Sequence, residues 1–384
     1  MNHEPFRSEE AEMPDQMLKR IRIAGWKSIR DATLAPSAVT VLVGANGAGK
    51  SNLVSFFRML NRLIADDLQL HIGRSGGANA VLHFGAKRTP VMETELNFQT
   101  PQGENRYEAR FAAAAGDSLI FAEERIEFQR AGIQRAPPPH MLGGGHRETA
   151  LKASADGGNQ TAAVIRSLLG RCRVFHFHDT SDASSLRRSC YVNANRHLYP
   201  DGGNAAAMLY LYRETRPVIY RRILSTIRQM APFIDDFVLE PDKLNVNNIT
   251  LKWKQPGTDY EFGPHQLSDG TLRMIALTTL LLQPEDDLPL LIALDEPELG
   301  LHPAAIGVLG SLARKASHHC QIMLATQSTN FIDCFELGDI VIVKNSGGVT
   351  SLERPDLESL KEWLEDYSVG ELWEKNVIGG GPYE

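Results

Sequence analysis

Residues 39–52 read Val-Thr-Val-Leu-Val-Gly-Ala-Asn-Gly-Ala-Gly-Lys-Ser-Asn. An apolar run of strand length thus delivers a complete Gly-x-x-x-x-Gly-Lys-Ser loop at residues 44–51. Apolar residues at Leu53, Phe56, Phe57, Leu60 and Leu63 then follow at helical spacing. Strand, glycine-rich turn and helix in this order form a phosphate cradle. The glycines let consecutive backbone N–H groups converge, and the helix beginning near Lys50 points its positive end at them. Lys50 is expected at the β- and γ-phosphates and Ser51 at Mg²⁺, with Asn46, Gly47, Ala48, Gly49 and Asn52 completing the nucleotide-binding set. A plain glycine-rich turn explains the glycines, but not Lys-Ser at the required offset.

Upstream, Leu18–Ala24 and Ile29–Leu34 read as strands joined through Trp26-Lys27-Ser28. Lys19, Ile21 and Ile23 are expected on one face of the first strand, and Leu18, Arg20 and Arg22 on the other. Downstream, residues 66–201 change to short alternating segments (91–98, 106–111 and 119–128) broken by Pro137-Pro138-Pro139 and Gly143-Gly144-Gly145, which predicts a β-rich insertion with mobile loops. Residues 202–235 read as a helical lobe interrupted at Pro217, followed by strands at 237–239 and 249–253.

The second decisive stretch is Leu290-Leu291-Ile292-Ala293-Leu294-Asp295-Glu296, a buried-strand run ending in two carboxylates. That pattern suits a metal-holding Asp295 followed by Glu296 as the base that polarises an attacking water. Acidic residues also cap strand ends without doing chemistry, and it is the pairing with the loop at 44–51 that favours the catalytic reading. Leu267-Ser268-Asp269-Gly270-Thr271 opens a helical run, and its exposed N–H groups make a second anion-binding end. Glu298-Leu299-Gly300-Leu301-His302-Pro303 runs into another helix, and a strand at 322–326 ends in Gln327-Ser328.

Taken together, these motifs resemble the ABC-type ATPases of the RecF and SMC kind, especially the stand-alone ATPases of bacterial anti-phage and plasmid-defence operons and the ATPase half of OLD-family proteins. The resemblance covers residues 18–63 and 263–345 motif by motif, and the middle of the chain in layout only. Tyr367–Trp373 is similar to a closing segment of such ATPases. The resemblance implies an α/β P-loop fold with a mixed β-sheet core, ATP and Mg²⁺ as ligands, and a homodimer or higher oligomer. In that assembly two heads pack head to tail, so that Ser268 and Gly270 of one meet the γ-phosphate held by the other. Residues 298–303 would lie across the seam, with Gln327 at the catalytic switch position. Two departures stand out. Asp269 occupies a place where the signature usually has glycine, and Gln327 stands where many relatives carry histidine and cannot take a proton. The metal-contacting glutamine of the family is unassigned, with Gln99 the one guess.

Composition limits the alternatives. The chain has 384 residues, 42% of them hydrophobic, and a formal net charge of −7, which suits a sizeable core and argues against a surface coated in nucleic acid. The apolar stretches 274–282 and 288–294 are too short to cross a bilayer. Residues 1–17 lack a secretory pattern and read as a flexible tail of a cytoplasmic protein, with 18–384 as the ATPase domain. Cys172, Cys190, Cys320 and Cys334 show no metal-binding spacing. His176 and His178, with Asp179 beside them, alternate on an expected strand and offer a metal site or merely a polar strand edge. Arg187, Arg188, Arg213, Arg216, Arg221, Arg222 and Arg228 offer a DNA-contacting surface or merely solvated helix faces. Three function classes remain: an ATP-driven dimer controlling a separately encoded effector such as a nuclease, a DNA-maintenance ATPase, and the ATP-binding subunit of a transporter. The long β-rich middle ranks the transporter last. No nuclease-like acidic cluster follows residue 345.

Overall fold

The alternation of Val39, Val41 and Val43 with Leu42 divides one strand between two cores, and the whole architecture follows from that division. The first three side chains join one hydrophobic cluster and Leu42 the other. Strand residues pointing alternately to opposite faces produce this when both faces of a sheet are covered. The computed structural model describes residues 15–133 and 137–381. Most of the expected N-terminal tail, residues 1–14, lies outside them.

In chain order the principal elements are β1 (Met17–Trp26), β2 (Ile29–Leu34), β3 (Val39–Val43), α1 (Lys50–Ile64), β4 (Val91–Thr100), β5 (Gly103–Ala114), β6 (Ser118–Arg130) and β7 (His140–Gly143). There follow α2 (Gln160–Gly170), β8 (Cys172–Phe175), α3 (Ala205–Thr215), α4 (Pro217–Met230), α5 (Asp269–Leu281), β9 (Leu291–Asp295), α6 (Pro303–Ser317), β10 (Gln321–Thr326), β11 (Ile340–Ser346) and β12 (Val349–Glu353). One six-stranded sheet has the order β2-β1-β4-β5-β6-β7 and is antiparallel throughout. The other has the order β12-β11-β3-β10-β9-β8 and is parallel except for the β11–β12 hairpin. The mixed α/β fold is therefore as the motifs imply.

Helix α1 lies between the two sheets. Its Leu53, Phe56, Phe57, Leu60 and Leu63 are buried in the cluster that also holds Ile21, Ile23, Tyr107 and Phe111 from the antiparallel sheet and Leu42, Ala293 and Met323 from the parallel one. Helices α3 to α6 cover the opposite face of the parallel sheet. Residues 66–201 contribute β4 to β7 to a sheet begun by β1 and β2, several helices, and β8 to the parallel sheet. The expected strand at 249–253 is divided between Asn245–Ile249 and Lys252–Lys254.

The faces of β1 differ from strict alternation. A register shift between Leu18 and Arg20 returns Leu18 to the buried side with Ile21 and Ile23 and leaves Lys19 exposed, as an extra residue in a strand does. Buried Gln321 ties this edge to β10. Its Oε1 accepts from the Leu18 N–H at 2.7 Å, and its amide donates to the carbonyls of Leu18 and Pro36 at 3.1 and 3.2 Å. Near the end of the chain, Ser368 and Glu371 form a reciprocal capping box that starts a short helix at Val369. The Gly370 N–H donates to Asp333 at 2.7 Å, docking that helix beside the segment that follows Gln327. Among the described residues no helix is long and apolar enough to cross a membrane.

Candidate nucleotide site

The phosphate loop is held from outside itself. Gly49 has φ +110°, and a Cβ there would lie 2.1 Å from the Thr350 hydroxyl, so both its backbone and its surroundings demand glycine. Thr350 Oγ1 donates to the Ala48 carbonyl at 2.8 Å and lies 2.7 Å from Ser28 Oγ, which accepts from the Asn52 amide at 2.7 Å. Trp26 Nε1 donates to the Asn52 carbonyl at 2.9 Å, and Lys27 Nζ to Ser55 Oγ at 2.9 Å. The Trp-Lys-Ser turn is thus a bracket on the first turn of α1.

Inside the loop, Lys50 Nζ donates to the carbonyls of Gly44 and Ala45 at 2.6 and 3.1 Å. Burial lowers its pKa, opposed by the negative charges of Glu296, Asp295 and Glu298. Ser51 Oγ donates to Asp295 Oδ1 at 3.2 Å, bringing together residues far apart in sequence. Strands β9 and β10 run parallel with Asp295 opposite Ala325, and their ends place Gln327 Nε2 3.3 Å from Glu296 Oε1. Glu296 has φ +42°, a left-handed conformation that disfavours a side-chain-bearing residue. Its N–H donates to the Ala325 carbonyl at 2.8 Å, which holds it there. Lys50, Ser51, Asp295, Glu296 and Gln327 therefore share one neighbourhood.

Glu298 is buried rather than laid out on a surface. The Thr326 hydroxyl donates to its Oε1, while its Oε2 has no hydrogen-bond partner among the described residues. Burial pushes its carboxyl up to about 7. Thr326 Oγ1 also accepts from the Ser328 N–H at 3.0 Å, so Glu298 is linked to the turn that carries Gln327.

The signature segment occupies a separate surface of the same chain. Ser268 caps α5, accepting from the Thr271 N–H at 3.2 Å, and is exposed. A Cβ on Gly270 would lie 2.6 Å from the Gly300 carbonyl, so the turn after Glu298 packs directly on the signature glycine. His302 caps the next helix, its Nδ1 accepting from the Ala304 N–H at 3.3 Å. Asp269 is neutralised. Buried Arg187 donates to its Oδ1 at 2.8 Å and, with its other nitrogens, to the carbonyls of Thr180 (2.9 Å), Pro264 (2.7 Å) and Leu267 (3.2 Å). Arg187 is accordingly an internal brace and leaves the set expected to face DNA. Within that set Arg228 pairs with Asp235, Arg216 with Asp287, and Arg213 donates to the Leu239 carbonyl.

Gln99 has no place at this site. It sits on β4 opposite Glu104, and its amide donates to the Thr100 carbonyl at 3.1 Å. The segment leaving the edge strand β8 reaches the backbone of Asp295 instead, with His178 Nε2 2.7 Å from its main-chain carbonyl oxygen. Neither His176 nor His178 is on a strand, since β8 ends at Phe175. Their rings meet edge to face at 4.4 Å, and among the described residues no cluster of three metal-ligating side chains forms. Arg273 of α5 donates to the Phe177 carbonyl at 3.1 Å, connecting the signature helix to the His178 segment. Thr350 and Arg273 carry no local signal in the sequence, while Ser28 and Arg187 stand out there only as part of a strand junction and of a basic surface. The four cysteines are free, and burial raises the Cys172 and Cys320 thiols to about 12.

A phosphate loop on a strand of a parallel sheet, with a carboxylate pair on a nearby strand and a signature helix behind, defines a P-loop ATPase of the ABC and SMC-head class. The fold agrees. The chain is similar to an Smc head bound to the C-terminal winged-helix domain of ScpA, with 15% identity, TM-score 0.61, and coverage of 90% of this chain and 99% of that one. It is also similar to the Smc head with an extended coiled coil bound to the C-terminal domain of ScpA from Pyrococcus furiosus (13% identity, TM-score 0.57, 91% and 99% covered). A head with coiled coil and joint from Pyrococcus yayanosii compares at 13% identity and TM-score 0.54, with 91% and 99% covered. By its match over residues 39–168 and 172–333, the chain belongs to the family described as "AAA domain, putative AbiEii toxin, Type IV TA system". No curated protein matches it.

Proposed function

We propose that this protein binds and hydrolyses Mg²⁺-ATP as a head-to-tail dimer and that the dimer controls a separately encoded effector in phage or plasmid defence. The observation that carries the ATPase reading is the convergence of Ser51 with Asp295 and of Gln327 with Glu296. The residues fit the ligands. Gly47 and Gly49, at φ +80° and +110°, give the loop the backbone that lets its N–H groups converge on phosphate, and the Ser51 hydroxyl and Asp295 carboxylate are hard oxygen donors suited to Mg²⁺. Bound there, Mg²⁺ would neutralise charge on the β- and γ-phosphates. Lys50 exchanges its two loop carbonyls for phosphate oxygens, and the loop N–H groups hold the chain of phosphates in line. Glu296 orients and deprotonates the attacking water. Gln327 can hydrogen-bond that water or the γ-phosphate without accepting a proton, which fits slow turnover and a switch. Residues 18–384 act in this reading as one head, and association places Ser268 and Gly270 over the partner's γ-phosphate.

The effector reading is supported by the family's toxin–antitoxin description and by Smc heads solved with a protein partner docked. Likeness to Smc heads equally favours a DNA-maintenance ATPase, for which DNA-stimulated hydrolysis without an effector gene is the mark. An ATP-locked scaffold with little turnover is the limiting case of the first reading.

The test is the solution mass in Mg²⁺-ATP of wild type, Glu296→Gln and Lys50→Ala. A shift to dimer or higher in Glu296→Gln that is absent in Lys50→Ala is the expected result. Equal masses in all three, with hydrolysis intact in wild type, would remove ATP-driven association from the mechanism.

A further inference from the structure

Away from the phosphate loop, α1, the edge strand β8 and the turn at 197–201 border a half-open cavity of about 580 Å³. That volume falls within the range of about 300–1,000 Å³ typical of small-molecule pockets. Arg58, Arg62, Arg173, His176 and His197 line it, and Asp201 is the one acidic side chain among them. The Asp201 carboxylate is already engaged, accepting from the Gly203 N–H at 3.0 Å. Arg62 pairs with Asp67 at 3.2 Å, but Arg58 and Arg173 have no carboxylate partner among the described residues.

The frame around these charges is fixed. Asn61 of α1 donates to the Cys172 carbonyl at 2.5 Å and accepts from the Val174 N–H at 3.3 Å, capping the free edge of β8. The His176 N–H donates to the Pro200 carbonyl at 2.7 Å, fastening the turn over the strand end. Ile64, Val174 and Pro200 supply apolar wall.

Two half-buried guanidinium groups without counter-charge cost desolvation that an anion offsets, and burial lowers the Arg173 pKa accordingly. Guanidinium forks match the oxygens of phosphate, and the apolar wall beside them suits a ring or sugar. We propose that this cavity is a second anion site, separate from the phosphate loop, which takes a phosphate-bearing small molecule of mononucleotide size. Its occupancy is communicated to the catalytic carboxylates through His176, whose ring meets that of His178, which in turn contacts the Asp295 carbonyl. This last step rests on the functional reading above, whereas the binding site does not.

The test is calorimetric titration of the full chain, its phosphate loop first saturated with Mg²⁺ and a non-hydrolysable ATP analogue, with guanosine 5′-monophosphate and, separately, inorganic pyrophosphate. Wild type is expected to bind at least one of these with Kd below about 1 mM. Arg58→Gln and Arg173→Gln should each weaken binding about tenfold, the loss of one charge-assisted contact, and Arg188→Gln outside the cavity should not. Arg58→Gln on the helix surface keeps the test intact if Arg173→Gln misfolds. Absence of binding to both probes, or equal binding by all variants, overturns the site. So does arginine-dependent binding of a single-stranded oligonucleotide in place of either probe, which would make the cavity part of a polynucleotide track. Binding that leaves the ATP turnover rate unchanged overturns the relay through His176 alone.

Discussion

Replacing Arg187 by methionine should damage this protein far more than replacing the aspartate it pairs with. The side chain of Arg187 is 6% exposed and that of Asp269 67%. An ion pair with one partner in water contributes about 0–1 kcal/mol, so Asp269→Asn should lower Tm by at most about 2 °C. Methionine in place of Arg187 keeps the volume but strips donors from the carbonyls of Thr180, Pro264 and Leu267. Each buried acceptor left unpaired costs about 1–3 kcal/mol, and partial relaxation brings the sum to about 3–5 kcal/mol. At about 2 °C per kcal/mol for a chain of this size, Tm should fall by about 6–10 °C. Because Pro264 and Leu267 flank the entry to α5, the ATP-dependent mass shift expected of Glu296→Gln should disappear when Arg187→Met is added to it and survive when Asp269→Asn is added. Differential scanning calorimetry and light scattering on both variants provide the check. A Tm loss in Asp269→Asn equal to that in Arg187→Met, or an unchanged Tm in Arg187→Met, would refute the claim that the carbonyl contacts hold the signature segment.

The buried Glu298 carboxyl sets a pH dependence. Its pKa in the folded chain is raised from 4.5 to about 7. The folded state therefore holds the proton more tightly, and stability from this group is full below about 4.5 and lost as pH rises through about 7. Glu298→Gln, always neutral, should lose this component, so its stability relative to wild type should rise between pH 5 and pH 8. Urea midpoints at the two pH values measure the difference, and a parallel pH profile would contradict the assignment. Glu296 yields a different expectation. With φ +42°, Glu296→Gly should be more stable than Glu296→Ala by about 1 kcal/mol while neither turns over ATP. Equal melting temperatures for the two would show that the backbone there is unstrained.

What could be read in advance was whatever chemistry is local. The loop at 44–51 announces itself because glycine geometry, a lysine and a hydroxyl must fall at fixed offsets, and α1 declares itself by the spacing of its core residues. Asp295-Glu296 is legible for the same reason, as is Gln327 at the end of its strand. The brace Arg187 looked like part of a basic surface because charge alone carries no information about burial, and only the fold brings it to three carbonyls. Glu298 looked like a residue of an outer turn, since nothing in Pro-Glu-Leu-Gly foretells that the carboxylate turns inward to Thr326. Leu18 changed face because one extra residue in β1 inverts a two-residue period. Gln99 suits the role only by its place in the chain, whereas proximity to Asp295 is decided by which strands adjoin β9, and those are β10 and β8.

The clamp formed by Ser28 and Thr350 has a bearing on how the molecule comes into being. These residues stand 322 positions apart, and the loop they close emerges from the ribosome long before Thr350 is translated. A nascent chain therefore carries the glycine-rich loop without the hydroxyl that fixes the Ala48 carbonyl, and closure must wait for the most distant pairing in the site. Fixing of the phosphate loop thus becomes a late event of synthesis, and a prematurely terminated chain lacking β12 would carry the loop without its clamp.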